Sequence, residues 1–198
     1  MKKVRIFLVL IFLFKYSNVL AYSSNPKEFV LELVNEAVTV LSNKSLSKEE
    51  KLIFIEKVAS ENVDITALSL YTLGEIRKTA SKEQITNYQI AFEKYFLKTL
   101  TSRLSEYSES KFEFINEDQK SSNYTIISTK ISPKNGDPEI KIDWRIYTKN
   151  PEKPLIRDLI VEGLSLARTQ KEEFNSILSS NNNSINILIE KLNEFIKN

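Results

Sequence analysis

The chain has 198 residues, 28 basic and 26 acidic side chains, and neither histidine nor cysteine. No imidazole is available as a general base, as the partner of a serine nucleophile or as a metal ligand, and no thiolate can attack a substrate, hold zinc or pair in a disulfide. An enzyme would have to rely on carboxylate, lysine, tyrosine or serine, so a binding protein without enzymatic activity, metal or cofactor is the expectation.

The N-terminus carries Met1, Lys2, Lys3 and Arg5, then an unbroken apolar run over residues 6–14. Nine residues fall short of the roughly 20 that span a bilayer, and they suit the apolar core of an export signal. Lys15 interrupts the run and argues against an uncleaved anchor. Val19-Leu20-Ala21 resembles a small-x-small cleavage site, so a signal peptide is predicted over 1–21 and a single domain over 22–198. Removal of the signal takes Lys2, Lys3, Arg5 and Lys15 and no acid, which leaves 24 basic against 26 acidic residues. The resulting net charge of −2 on 177 residues lacks the basic stripe of a nucleic-acid binder. That length fits one domain with enough buried surface to fold without disulfides. No later stretch reaches membrane-spanning length, so the exported chain is expected to be soluble outside the cytoplasm.

The first half reads as helices. Asn25 can cap a helix that Pro26 opens. Phe29, Val30, Leu33, Val34, Ala37, Val40 and Leu41 keep a 3.6-residue period along it. Ser47 and Glu50 form a capping box for a second helix with Leu52, Ile53, Ile55, Val58 and Ala59 on its apolar side. Asp64 caps a short apolar segment over 65–73 that Gly74 ends. Ser81 and Gln84 form another capping box, and the longest helix follows over about 82–107. Its stripe is Ile85, Tyr88, Phe92, Tyr95, Phe96, Thr99, Leu100 and Leu104. Such a stripe suits ordinary core packing and equally the wall of an apolar pocket.

The second half turns to period 2. Phe112, Phe114 and Asn116 alternate with Glu113 and Ile115, and 124–132 is rich in β-branched residues. The segment 133–138 is a proline-bounded Asn-Gly turn into the next strand, 139–148. There Ile140, Ile142, Trp144 and Ile146 share one face, while Lys141, Asp143, Arg145 and Tyr147 share the other. A fourth strand is predicted over 155–164. A helix starting near Ser165 carries Leu166, Phe174, Ile177 and Leu178, Asn181–Asn183 break it, and a last amphipathic helix begins at Ser184. Helices, then strands, then helices indicate α+β, with helices wrapped around a twisted four-stranded antiparallel sheet that encloses an apolar cavity.

Among catalytic signatures there is no Gly-x-Ser-x-Gly, no P-loop, no Gly-x-Gly-x-x-Gly and no metal-ligand spacing. Asp143 alternates with Trp144 and should point outward. The candidate cavity lining is Leu70, Leu73, Phe92, Phe96, Leu100, Ile142, Trp144, Ile146 and Ile160. These come from the short helix, the long helix and the covered sheet face, and each also suits plain core packing. Arg77, ahead of Ser81, is a weaker candidate for a phosphate or partner contact and suits a solvated position as well.

Three blocks in order carry a resemblance: Leu73-Gly74 with Ser81-Lys82-Glu83-Gln84; Phe92-Glu93-Lys94-Tyr95-Phe96 leading to Leu104 and Tyr107; and residues 158–165, Asp-Leu-Ile-Val-Glu-Gly-Leu-Ser, followed by Phe174 and Leu178. Over about 26–192 the chain resembles the MlaC family, also called the toluene-tolerance or ABC-transporter auxiliary family. The resemblance implies a periplasmic phospholipid carrier, with acyl chains held between a twisted sheet and its helices. The implied partners are an inner-membrane ABC transporter with an MCE subunit and an outer-membrane lipoprotein complex, and the implied role is outer-membrane lipid asymmetry. Leu100 stands where the family often has tyrosine, Pro154 near a frequent tryptophan, and Asn181–Asn183 replace a glycine-containing turn. The alternatives are a carrier of another lipid such as a hopanoid, a small-molecule enzyme with an inward carboxylate such as Asp143 or Asp158, and a structural adaptor without ligand.

Overall fold

The computed structural model describes residues 22–104, 111–132 and 138–197. The expected signal segment, the long helix beyond Leu104 and residues 133–137 of the Asn-Gly turn lie outside the described residues. Helices come first: α1 (Pro26–Ser42), α2 (Lys48–Asn62), α3 (Ile65–Thr72), a 3-10 turn (Gly74–Lys78) and α4 (Lys82–Leu104). The strands are β1 (Lys111–Ser121), β2 (Tyr124–Ser132), β3 (Ile140–Tyr147), β4 (Leu155–Val161) and β5 (Leu164–Ser165), and α5 (Leu166–Ser179) and α6 (Ile185–Lys197) close the chain. Among the described residues, no helix is long and apolar enough to cross a membrane.

The helix starts obey the local capping chemistry. Asn25 accepts from the backbone N–H groups of Lys27 and Glu28. Ser47 and Glu50 close a reciprocal capping box, as do Ser81 and Gln84, at 3.0 and 3.1 Å. Each such cap supplies partners for N–H groups that the first turn leaves orphaned. Gly74 adopts φ +65° directly after α3, and a Cβ there would sit 3.1 Å from the side-chain oxygen of Asn175. Both the left-handed backbone and the close approach call for glycine. Asn182 and Asn183 take φ 51° and 57° after α5, a left-handed conformation that asparagine tolerates.

The sheet is antiparallel in the order β1-β2-β3-β4-β5. It has five strands rather than the expected four. The predicted strand 155–164 stops at Val161, and Glu162 and Gly163 turn with φ 49° and 83° into the two-residue β5. Positive φ at both central residues matches a tight hairpin whose twist suits the flanking strands. β4 also bulges. Arg145 pairs with Asp158 and Ile146 with Ile156, so Arg157 is an extra residue without a partner on β3.

Two cores form, on two sides of the sheet. In the first, α1 lays Phe29, Val30, Leu33 and Val34 on Ile127, Ile131, Ile142, Trp144, Ile146 and Ile156. Each such side chain buried contributes about 1.5–3 kcal/mol relative to exposure. The Trp144 indole N–H donates to Thr129 Oγ1 at 2.9 Å, so the large ring enters this core with its one donor satisfied. The second core joins α3 to α6 and contains Leu73, Tyr88, Ala91, Phe92, Phe174, Leu178, Ile185, Leu188 and Leu192. Phe174 meets Tyr88 and Phe92 edge-on at 6.3 and 6.2 Å. The Tyr88 hydroxyl pairs with Thr72 Oγ1 at 2.8 Å, and burial holds its phenol well above the ordinary pKa. The aromatic stripe of α4 therefore packs on helices, not on the apolar face of the sheet.

Candidate binding groove

The polar face of the sheet, opposite α1, is where α3 and α5 lie against β4. Between them is a half-open groove of about 650 Å³. The sheet contributes Arg145 and Ile160, and the β4–β5 hairpin contributes Gly163, Leu164 and Ser165. Tyr71 of α3 and Arg168, Thr169 and Glu172 of α5 complete the lining.

The β4 bulge decides what faces this groove. Ile156 points to α1, and strict alternation would send Asp158 and Ile160 the same way. The extra residue Arg157 resets the count, so Asp158 sits opposite Arg145 and Ile160 opposite Asp143, both on the groove side. Arg157 itself is held from two directions. Its guanidinium donates to Asp64 Oδ2 from Nε and Nη2, both at 3.0 Å, and stacks 3.5 Å over the Tyr147 ring. Asp64 also caps α3 by accepting from Ala67 N–H at 3.1 Å, so one contact ties the bulge to the helix that carries Tyr71. The Asp64 N–H donates to the Ile156 carbonyl at 2.9 Å and fixes the same junction.

Asp158 anchors the other wall. It is 7 % exposed and accepts three hydrogen bonds: Ser165 Oγ at 2.6 Å, the Ala167 N–H at 3.0 Å and Arg145 Nη1 at 3.1 Å. Ser165 in turn accepts from Arg168 N–H at 3.0 Å and caps α5. A carboxylate at a helix N-terminus is favoured by the helix dipole and by the free N–H groups there. Asp158 thus holds α5 on the sheet, and its oxygens are occupied. Asp143 accepts from Ser128 Oγ at 2.6 Å and pairs with Lys141 at 3.3 Å. The open rim mixes apolar and charged side chains: Leu164 is 68 % exposed and Tyr71 is exposed, beside the largely exposed Arg168 and Glu172. Lys171 lies 5.1 Å over the Tyr71 ring.

Of the nine candidate lining residues, Ile160 lies in this groove. Ile142, Trp144 and Ile146 are on the other face, in the core with α1, so Ile160 does not share their side as the alternation alone implied. Leu73 and Phe92 are buried in the helical core and Phe96 packs on its edge, stacked on Phe92 at 6.1 Å. Leu70 and Leu100 are half-buried. Arg77 is half-buried and donates from Nη1 to the Gly74 carbonyl at 2.7 Å, beside the end of α3 and outside the groove lining. Sequence reasoning missed Tyr71, Arg145, Leu164 and Arg168 as a group. They sit on α3, β3, β5 and α5, and no periodicity links them.

Comparison with known proteins follows the same lines. No curated protein matches by sequence. Among solved structures, the phospholipid-binding protein from Ralstonia solanacearum, in complex with a phospholipid, superposes with a TM-score of 0.71 at 18% identity. The match covers 86% of this chain and 96% of that one, and it shows a shared fold. The family model described as MlaC protein matches residues 31–194, most of the helices and the whole sheet, and the chain therefore belongs to the MlaC family.

Proposed function

We propose that this protein is a periplasmic phospholipid carrier and that the groove between the β3–β5 strands and helices α3 and α5 takes the acyl chains. The observation that carries the reading is this groove of about 650 Å³, in which Ile160, Leu164 and Tyr71 lie among polar and charged residues such as Arg145, Ser165, Arg168 and Glu172, in a chain of the MlaC family. A protein of the same fold has been solved with a phospholipid bound. The energetic need is plain. Each exposed methylene costs about 0.8 kcal/mol, so two ordinary acyl chains in water cost up to on the order of 20 kcal/mol. A carrier needs an apolar wall and an exit, and it needs no catalytic group. Asp158, the most buried carboxylate at the groove, spends its oxygens on three donors, which favours binding over catalysis. Within the lining proposed from sequence, Ile160 contacts the chains directly. Leu70, Phe96 and Leu100, which are half-buried, are proposed as further lining, while Leu73, Phe92, Ile142, Trp144 and Ile146 are buried in the two cores.

The same reading takes residues 1–21 as a cleaved export signal and 22–198 as one lipid-binding domain. It assigns shuttling between an outer-membrane lipoprotein complex and an inner-membrane ABC transporter with an MCE subunit, in support of outer-membrane lipid asymmetry. The test is to isolate the protein from a cell envelope, extract it with organic solvent and identify the extract by mass spectrometry. Stoichiometric phospholipid is the expected result. A hopanoid would redirect the cargo assignment. An empty protein that also takes nothing from phospholipid vesicles would overturn the reading.

A further inference from the structure

We infer that the groove recognises the phosphodiester of its cargo through Arg145, with Arg168 at the rim, so that head and tail of one amphiphile are held together. The inference rests on the carrier reading of the same groove. Arg145 lines the groove beside Ile160 and is only partly compensated. It reaches Asp158 through Nη1 alone, at 3.1 Å, and that carboxylate is shared with Ser165 Oγ and the Ala167 N–H. Its side chain is 38% exposed although Nε is sealed from solvent, so the outer part of the guanidinium is what an anion in the groove can reach. A guanidinium fork matches the geometry of phosphate oxygens, and the pairing strengthens where water is excluded.

Arg168 supplies a second cation from the first turn of α5, in the same lining. Its Nε donates to Glu172 Oε1 at 2.9 Å, but both side chains are largely exposed, and such a pair is readily exchanged for another anion. The α5 N-terminus itself is occupied by Asp158 and Ser165, so the two arginines, not the helix end, are the anion donors. Ile160 and the exposed Leu164, in the same lining, give the tail its apolar start. The chemistry favoured is a phosphodiester joined to hydrocarbon, rather than an uncharged glyceride or a sterol-like lipid.

The test compares binding of phosphatidylglycerol, diacylglycerol with the same acyl chains, and inorganic phosphate to the full exported chain. Phosphatidylglycerol is expected to bind about tenfold tighter than diacylglycerol, as charge-assisted hydrogen bonds allow. Arg145→Gln should remove most of that preference. Arg168→Gln, which gives up only the exposed pair with Glu172, should reduce it about threefold with an unchanged melting temperature. Arg145→Lys keeps the charge opposite Asp158 and guards against a folding artefact; it should recover stability but not the full preference. Equal binding of the two lipids, or variants that keep the wild-type preference, would overturn the inference and leave the carrier reading standing. Inorganic phosphate bound as tightly as the lipid would mark a free-anion site and also overturn it. Binding of neither lipid would remove both readings.

Discussion

The two faces of the sheet share their strands and solve opposite problems. On the α1 side, Ile127, Ile142, Trp144 and Ile146 meet a helix whose apolar stripe matches them, and the contact is closed. On the other side, Ser128 donates to Asp143, Asp158 accepts from Arg145 and from the start of α5, and a groove remains between sheet and helices. A closed apolar face fixes the curvature of the strands. Directional hydrogen bonds on the second face then tether the start of α5 to β4 at one edge of the groove. A space that must be filled and emptied is better framed by polar ties at its edge than by packing across it.

This contrast can be broken from either side. The largest effect is expected from Trp144→Ala on the closed face, a loss of about 3–5 kcal/mol in denaturant unfolding from the cavity and the lost side chain. A loss under about 1 kcal/mol would mean that this face tolerates voids as the groove does. Asp158→Ala comes next, because three donors lose their acceptor at once; a loss of about 2–3 kcal/mol is expected. Amide hydrogen exchange should localise that loss to the start of α5, at Ala167 and Arg168. If protection changes equally throughout the molecule, Asp158 is not the local tether described. Leu164→Asp on the open rim should change stability by less than about 0.5 kcal/mol, since the side chain is already exposed. It should nevertheless lower the amount of lipid that remains with the purified protein, and unchanged lipid content would place the cargo elsewhere.

Much of the fold was legible because it is local. The Ser47–Glu50 and Ser81–Gln84 boxes, the Asn25–Pro26 start and the alternation of β3 each depend on residues within a few positions of one another. The division into two cores was not. A stripe such as Phe92 and Phe96 announces that a helix has a buried side, but not whether a sheet or another helix covers it. Ile160 shows the same limit within a strand, because a period-2 count carries it to the α1 face. The residue that breaks the count, Arg157, is fixed by Asp64, 93 positions away. Asp158 likewise looks like any strand carboxylate until β5 and α5 fold back on it. The groove is a product of such distant meetings, so its lining could be read only in part.

The single unpaired residue in β4 also constrains how relatives should be compared. A homologue lacking a counterpart of Arg157 would present its next four side chains to the opposite sides of the sheet, exchanging wall for interior and interior for wall. An alignment that slides by one position across that strand therefore equates residues with different neighbours, even where the letters agree. Gaps placed there carry more meaning than substitutions, and a deletion at this position should be read as a change of architecture, not as drift.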